Sequence, residues 1–312
     1  MKFGILLSLL IMANGGLRAQ EVTVPNYYKV DKSLSEKLSK LVKELGLDKD
    51  FQVLEDGEEQ ISLAVIDLNG DKPRLGGVNF CNFIYPASVY KMYVAAEILR
   101  QISVDSLHLD DPYVVQSPND VDRTKEIAND PRPLLQQGDS VTINYLLDLM
   151  ITRSDNSAAN CMIDIAQRSN INKLIGHHNW QGSEVTRKFL KRELEDPDYI
   201  DAQGTMTCAL HAADFMCRVY SEQLVNPWVS MQMEALLGRQ LDRSKLAPGL
   251  PKNTMFYHKT GWWADWTNDV GIVDDGKTKY VIACFLPLKE EIALPLMKEL
   301  SKQIFTIINE RK

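Results

Sequence analysis

The sequence predicts an α+β fold in which an antiparallel sheet is flanked by N- and C-terminal helices and an all-helical lobe is inserted between the two parts of the sheet. Strand-like apolar segments cluster toward both ends of the 312-residue chain, whereas helical periodicity dominates the middle. The C-terminal strands are joined by connections too short for a parallel crossover. We therefore expect one domain over residues 20–312, with a sheet lobe at about 33–87 and 250–312 and a helical lobe at about 88–249.

The N-terminal part supplies one helix and two strands. Leucines at helical spacing predict an amphipathic helix over residues 33–45. An apolar run predicts a strand over residues 61–68, which ends at the turn signal Asn69-Gly70-Asp71. A second short strand is expected over residues 77–83, just before the first of the motifs described below.

The middle and the C-terminal part follow the same reasoning. Helices are expected over residues 89–101, 142–151 and 158–167, interrupted by a polar loop at 110–138 and an acidic loop at 191–205. Strands follow over residues 255–259, 270–274 and 280–286, and a helix over 292–308 closes the chain.

Composition and the N-terminal segment limit the possible functions. A hydrophobic fraction of 45% and a charged fraction of 25% are ordinary for a globular protein, and a net charge of −7 disfavours nucleic-acid binding. Lys2, an apolar run over 3–13 and Leu17-Arg18-Ala19 predict a signal peptide over residues 1–19. The alternative, a stable membrane anchor, is disfavoured because the run is too short to span a bilayer. A periplasmic or secreted protein is expected.

The metal-ligating residue types show no site pattern. The five histidines form no H-x-H-x-D cluster, so no metal and no other cofactor is expected. The five cysteines are an odd set without C-x-x-C spacing, which favours buried free thiols over a disulfide.

Three short motifs carry the chemistry: Ser88-Val89-Tyr90-Lys91, Ser154-Asp155-Asn156 and Lys259-Thr260-Gly261. About one S-x-x-K match is expected by chance in a chain of this length, but each of the other two strings is expected well under about 0.1 times. All three in this order predict a serine that attacks an acyl carbonyl.

The first motif supplies the nucleophile and its base. Ser88 is expected in the first turn of a helix, where the unpaired N–H groups face developing negative charge. Lys91 lies one turn later on the same face, and burial against a neighbouring cation, for which Lys259 is the candidate, would lower its pKa enough to accept the Ser88 proton. The alternative is an N-cap serine followed by a surface lysine.

The second motif offers proton transfer and substrate contacts. Ser154 could pass a proton to a leaving nitrogen, and the amide of Asn156 has donor and acceptor atoms for a substrate amide. The alternative is that Asp155 or Asn156 caps the next helix.

The third motif is expected at the end of a strand. Lys259 and Thr260 suit a substrate carboxylate, and Gly261 permits close approach to the backbone. The N–H groups of Trp262 and Ser88 would form an oxyanion hole. The alternative is an exposed strand end before a turn.

With these motifs, and with the stretches at 141–150 and 268–273, the chain resembles the class A β-lactamase-like family of serine hydrolases over residues 33–308. This family belongs to the serine β-lactamase and penicillin-binding protein superfamily. The resemblance implies a sheet lobe and a helical lobe, no metal, acylation of Ser88, and the roles given above for the other motif residues.

The resemblance also implies a glutamate on an Ω-shaped loop, which activates water to hydrolyse the acyl-enzyme. That loop should fall within residues 186–207, where the family's E-x-x-L-N pattern is absent. Glu193 is the candidate, Glu195 is a second one, and a solvated charged loop without a base is the alternative.

Two tryptophans, Trp262 and Trp263, directly follow the third motif and could either stack on a substrate or pack beneath a neighbouring loop. The expected function is that of a monomeric serine β-lactamase that hydrolyses the β-lactam amide. The alternatives are a penicillin-binding or peptidase-like acyl-serine enzyme that deacylates β-lactams slowly, and a catalytically silent binding domain. The expected partner is a small β-lactam or a peptidoglycan-like acyl substrate.

Overall fold

The structure is a computed structural model that describes residues 22–54 and 57–310. The predicted signal peptide over residues 1–19 lies outside the described residues. Within the described ranges, no helix is both long enough and apolar enough to cross a membrane.

The described residues form twelve β-strands and eight α-helices. The strands are β1 (Lys29–Val30), β2 (Phe51–Val53), β3 (Gly57–Glu59), β4 (Ser62–Asp67), β5 (Arg74–Val78), β6 (Phe83–Ile84), β7 (Pro112–Val114), β8 (Ser140–Thr142), β9 (Thr207–Cys208), β10 (Met255–Trp263), β11 (Trp266–Asp274) and β12 (Lys279–Leu286). The helices are α1 (Lys32–Glu44), α2 (Lys91–Ser103), α3 (Ile143–Asp148), α4 (Asn156–Ala166), α5 (Arg168–His177), α6 (Ala209–Tyr220), α7 (Pro227–Leu237) and α8 (Glu290–Asn309).

The main sheet joins the two ends of the described chain. Its strand order is β1-β5-β4-β12-β11-β10, so that the N-terminal strand β4 pairs with the C-terminal strand β12. All neighbours are antiparallel except the short β1, which runs parallel to β5. The predicted α+β class with a mostly antiparallel sheet is therefore confirmed.

Both faces of the sheet are buried, which explains why its strands read as continuous apolar runs. Along β4, Ala64 and Ile66 join the core beneath the helical part, whereas Leu63 and Val65 join a second core with α1 and α8. This alternation follows the two-residue period of a strand. The sheet is thus a rigid layer between two cores, and it fixes the position of β10.

Three predicted elements differ from the observed ones. The strand expected over 77–83 is replaced by β5 and β6, because Asn79 has a φ of 46°, which a strand cannot continue. The helix expected from residue 89 is preceded by a short 3-10 turn, Ala87–Tyr90. The helix expected over 142–151 ends at Asp148 and continues as a π-helical turn, Leu149–Arg153.

Candidate active site

The Ser88 turn places the predicted nucleophile at the edge of a cavity of about 190 Å³. Ala87 has a φ of 45°, a left-handed conformation that is unfavourable for a residue with a side chain. Its neighbours Ala87, Val89 and Tyr90 are buried, whereas Ser88 is partly exposed and lines the cavity. The turn leads directly into α2, so Ser88 lies at the N-terminal end of a helix, as predicted.

Lys91 is the first residue of α2 and is fully buried. Its Nζ donates hydrogen bonds to the Ser154 carbonyl oxygen, to Asn156 Oδ1 at 2.8 Å and to Ser154 Oγ at 3.3 Å. The alternative interpretation, a surface lysine after a capping serine, is therefore wrong.

Ser154 connects the two lysines of the motifs. It follows the π-helical turn with a left-handed φ of 64°, and its Oγ accepts a hydrogen bond from Lys259 Nζ at 2.9 Å as well as the longer one from Lys91. The three residues are nearly inaccessible to solvent. This buried contact between two amines and one hydroxyl is a geometry through which a proton can pass.

Burial shifts the pKa of both amines downward. Desolvation lowers the pKa of Lys91, against the opposing effect of Glu126 and Asp122. Desolvation, with a further contribution from the Lys91 charge, lowers the pKa of Lys259 to about 7. Burial is the larger cause for both groups, and the effect of one amine's charge on the other is resolved for Lys259, whose pKa is lowered by the Lys91 charge.

Asn156 is held in place by a carboxylate from the polar loop. Asp122 accepts hydrogen bonds from the Asn156 backbone N at 2.7 Å and from Asn156 Nδ2 at 2.9 Å. The Asn156 Oδ1 is thereby turned toward Lys91, and the second hydrogen of Nδ2 remains for a substrate carbonyl. Capping falls to Asp155, which accepts a bond from Ala158 N at 2.7 Å, so capping and a position in the cavity coexist.

The third motif lies within β10, against the Ser88 turn. A Cβ at Gly261 would come within 2.6 Å of Pro86 O and 2.8 Å of Ser88 N, so only glycine allows this approach. The β10 backbone therefore passes beside Ser88 N, where the predicted oxyanion hole requires it. Thr260 Oγ1 is buried and has no hydrogen-bond partner among the described residues, which leaves it for a substrate carboxylate.

The two tryptophans form part of the cavity wall. Trp262 and Trp263 are each about half exposed, and both line the Ser88 cavity. Trp262 Nε1 donates to Glu126 Oε1 at 3.1 Å, and the Trp263 ring meets the Phe189 ring edge to face at 5.5 Å. The structure places both rings where they can contact a substrate.

The structure does not place Glu193 in the lining of the Ser88 cavity. Glu193 is exposed in a 3-10 turn, Arg192–Leu194, and does not line the Ser88 cavity. The Glu195 side chain is buried in an ion pair with Arg168, and it also accepts from Lys188 N at 2.9 Å and Asp196 N at 3.0 Å. Its acceptor capacity is occupied by structural contacts.

Phe189 occupies the place that was predicted for a carboxylate. Among residues 186–207 it is the one that lines the Ser88 cavity. Asn160 of α4 fixes its backbone, accepting from Phe189 N at 2.8 Å and donating to Phe189 O at 3.3 Å. The loop thus presents an aromatic ring to the acyl site.

Sequence reasoning missed Asp122 and Glu126, both of which line the Ser88 cavity. They belong to the loop at 110–138, which the sequence predicts to be polar. Its acidic residues follow no spacing that is typical of a catalytic site. The one indication in the sequence was the cluster of acidic and basic residues at 120–126, since a long loop can bring such a cluster to the active site.

The described part of the chain contains no group of three or more His, Cys, Asp or Glu side chains suited to hold a metal ion. All five cysteines are free, and four of them are buried.

A partly exposed serine at a helix start, beside two buried lysines bridged by a second serine, is typical of serine acyl-transfer enzymes. The model of the Beta-lactamase enzyme family matches residues 46–308, and the chain belongs to this family. No curated protein sequence matches the chain.

Solved structures share the fold at low identity. PBP-A is 16% identical, with a TM-score of 0.73 and coverage of 92% of this chain and 100% of its own. A β-lactamase from Sphaerobacter thermophilus is 17% identical, with a TM-score of 0.73 and coverage of 88% and 98%. A variant of the last common ancestor of the Gram-negative class A β-lactamases is 20% identical, with a TM-score of 0.72 and coverage of 90% and 100%. At these identities the likeness establishes the fold.

Proposed function

We propose that Ser88 opens β-lactams, and cleaves peptidoglycan-like acyl substrates, through an acyl-enzyme that is hydrolysed slowly. The proposal depends on a difference between two parts of the Ser88 cavity. The groups needed for acylation are assembled around Ser88, whereas the loop that should supply a water-activating carboxylate presents Phe189. This favours the penicillin-binding alternative over an efficient β-lactamase.

Acylation uses the residues of all three motifs. Lys91 in its neutral form takes the Ser88 proton, and Ser88 Oγ forms a bond to the carbonyl carbon. The Ser88 and Trp262 N–H groups stabilise the oxyanion. As the carbon–nitrogen bond breaks, the Ser154 hydroxyl protonates the leaving nitrogen and is reprotonated from the lysine pair.

The other motif residues orient the substrate. Thr260 Oγ1 and the Lys259 amine suit a carboxylate beside the scissile bond, and the free Nδ2 hydrogen of Asn156 suits the carbonyl of the acyl side chain. Holding both ends places the carbonyl carbon against Ser88, which supplies the orientation that a bimolecular reaction lacks.

Deacylation requires a positioned water and a base. The Phe189 ring offers neither a donor nor an acceptor, and the Glu195 carboxylate is occupied by Arg168 and backbone N–H groups. A mutant of PBP-A was solved as an acyl-enzyme complex with penicillin G, which supports a persistent adduct on this fold.

A second candidate is a β-lactamase with efficient turnover. It is favoured by the Glu126 carboxylate, which lines the Ser88 cavity and accepts a hydrogen bond from Trp262 Nε1. In that case Glu126 would activate the deacylating water, and the predicted signal peptide would place the activity in the periplasm or outside the cell.

Intact-protein mass spectrometry over time, after mixing with benzylpenicillin, tests the proposal. We expect one penicillin bound per protein molecule at Ser88, in an adduct that persists far longer than the turnover time of an efficient β-lactamase. The Ser88→Ala variant should form no adduct. Rapid product release without an accumulated adduct, lost in Glu126→Gln, would establish the second candidate. No adduct and no product would exclude both.

A further inference from the structure

A second, larger cavity adjoins the Ser88 cavity. It has a volume of about 590 Å³, within the range of small-molecule sites. Phe189 and Trp263 line both cavities, so that their edge-to-face ring pair forms a shared wall. We name the larger one the Arg187 cavity.

Most of the wall of the Arg187 cavity is apolar. The apolar and aromatic lining residues are Tyr85, Tyr90, Pro118, Val121, Leu190 and Leu194, together with the shared ring pair. A wall of this kind favours hydrocarbon and excludes water from polar groups placed beside it.

The charged lining residues are mostly basic, in a protein whose net charge is −7. They are Arg123, Arg187, Lys188 and Lys191, against the single carboxylate of Asp120. Two of the four are neutralised by protein groups: Lys188 pairs with Asp164 at 2.5 Å, and Arg123 lies 3.9 Å from Asp120. Arg187 and Lys191 remain as a positive surplus.

Arg187 has no ion-pair partner in the described part of the chain. Its Nε is buried and makes no hydrogen bond, which is unusual because buried donors are nearly always paired. Tyr90 lines the same cavity, and its hydroxyl is likewise buried and without a hydrogen-bond partner. Burial raises the pKa of Tyr90, so this hydroxyl stays a donor. Two unpaired donors therefore belong to one apolar cavity.

We propose that the Arg187 cavity receives the acyl side chain of the substrate and that Arg187, aided by Tyr90, binds a carboxylate on that side chain. This inference rests on the proposed acylation of Ser88, because the acyl group held there must extend past the Phe189–Trp263 pair to reach the cavity. The substrate class is thus an acyl donor with an aliphatic side chain that ends in an anionic group. Such a group occurs both on some β-lactams and on cell-wall peptides.

A matched pair of penicillins tests the proposal. The probes are adipoyl-6-aminopenicillanic acid, which ends in a carboxylate, and its terminal amide, which is nearly identical in shape. We expect Ser88 to be acylated about tenfold faster by the acid, since a charge-assisted hydrogen bond to arginine is worth roughly that factor. Arg187→Gln should abolish the preference, because acylation by the acid should slow to about the rate of the amide.

Two further variants separate a local effect from a general one. Arg243→Gln removes the same charge from an exposed residue that lines neither cavity, and should leave the preference intact. Lys191→Gln, at an exposed position of the Arg187 cavity, should reduce the preference by about twofold. It also keeps the proposal testable if Arg187→Gln fails to fold.

Mounting the same acid and amide on D-Ala-D-Ala distinguishes the two sources of the carboxylate. A preference only among the penicillins indicates a site for β-lactam side chains, and a preference only among the peptides indicates one for cell-wall peptides; either supports the proposal. Equal acylation rates for acid and amide in both pairs would overturn it while leaving the proposed function intact. A complete lack of adduct would instead refute the proposed function.

Discussion

The two walls of the Ser88 cavity are built in opposite ways. The wall formed by α2, the start of α4 and β10 holds buried polar groups that hydrogen-bond to one another, chiefly Lys91, Ser154 and Lys259. The loop wall presents the Phe189 ring, and its carboxylate Glu195 is turned away into a salt bridge. Under the proposed function, acylation depends on the first wall and deacylation on the second, which is why the first reaction is expected to be fast and the second slow.

The largest effect should come from the polar wall. Lys91→Met removes the amine that accepts the Ser88 proton, and general-base catalysis typically contributes about 100- to 10,000-fold. We expect the second-order rate constant of acylation by benzylpenicillin to fall by that factor. Lys37→Met, on the exposed side of α1, is the control and should react normally. Rapid acylation of Lys91→Met would show that another group is the base.

On the loop wall, Glu195→Gln should affect stability and leave catalysis unchanged. Removing one partner of a buried ion pair costs about 3–5 kcal/mol when the other charge is left unpaired; the loss here should fall below that range, because Arg168 keeps its ion pair with Asp196. Urea unfolding would measure this loss, and the adduct lifetime of the folded fraction should be unaltered. Glu193→Gln is the matched control, since its exposed side chain should contribute to neither quantity. A prolonged adduct in either variant would restore that glutamate as the deacylating base.

A smaller effect is expected where the polar loop supports the polar wall. Asp122→Asn replaces a carboxylate that accepts from Asn156 N, Asn156 Nδ2 and Ser157 N. We expect a loss of about 1–3 kcal/mol in the free energy of unfolding and about tenfold slower acylation, because Asn156 is no longer oriented. Asp71→Asn on an exposed turn should change neither. Normal acylation in Asp122→Asn would mean that Asn156 needs no such support.

The lysine pair also predicts a pH dependence. Because burial lowers the pKa of Lys91, the amine that accepts the Ser88 proton, acylation should fall by up to about tenfold per pH unit once the pH drops below that lowered pKa. The free energy of unfolding should change with pH in the opposite direction to that of a protein with a salt-bridged lysine. Burial lowers the pKa of Lys259 from 10.5 to about 7. Between these two pH values the unfolded chain binds more protons than the folded protein, so the free energy of unfolding rises with pH. Lys259→Met should flatten that rise, and an unchanged slope would contradict neutral burial of the amine.

The polar wall could be predicted from the sequence because its residues depend on short-range geometry. Ser88 and Lys91 are separated by one turn, and Ser154 lies just before a helix. The position of each side chain within its motif therefore follows from local helix geometry. Residue 261 must be glycine because any side chain would collide with the Ser88 turn, and this requirement is visible in the sequence as the last residue of the third motif. The antiparallel sheet was predictable for a similar reason, since its C-terminal strands follow one another closely.

The loop wall could not be predicted because it depends on contacts between distant residues. Phe189 lines the Ser88 cavity with its backbone bound by Asn160, 29 positions earlier, and Asp122 binds Asn156 across 34 positions. The family resemblance indicated Glu193, with Glu195 as a second candidate, but Glu193 is exposed and the Glu195 carboxylate pairs with Arg168. The unpaired Arg187 likewise becomes visible only once the cavity around it is formed.

The measurement that tests the central claim most directly is the decay rate of the benzylpenicillin adduct in the unmodified protein, in Phe189→Glu and in Phe189→Gln. A carboxylate at this position would face the acyl site, whereas the glutamine has nearly the same size without a base. The account predicts a persistent adduct in the unmodified protein and in Phe189→Gln, and decay at least about tenfold faster in Phe189→Glu. An adduct that decays within seconds in the unmodified protein would contradict it.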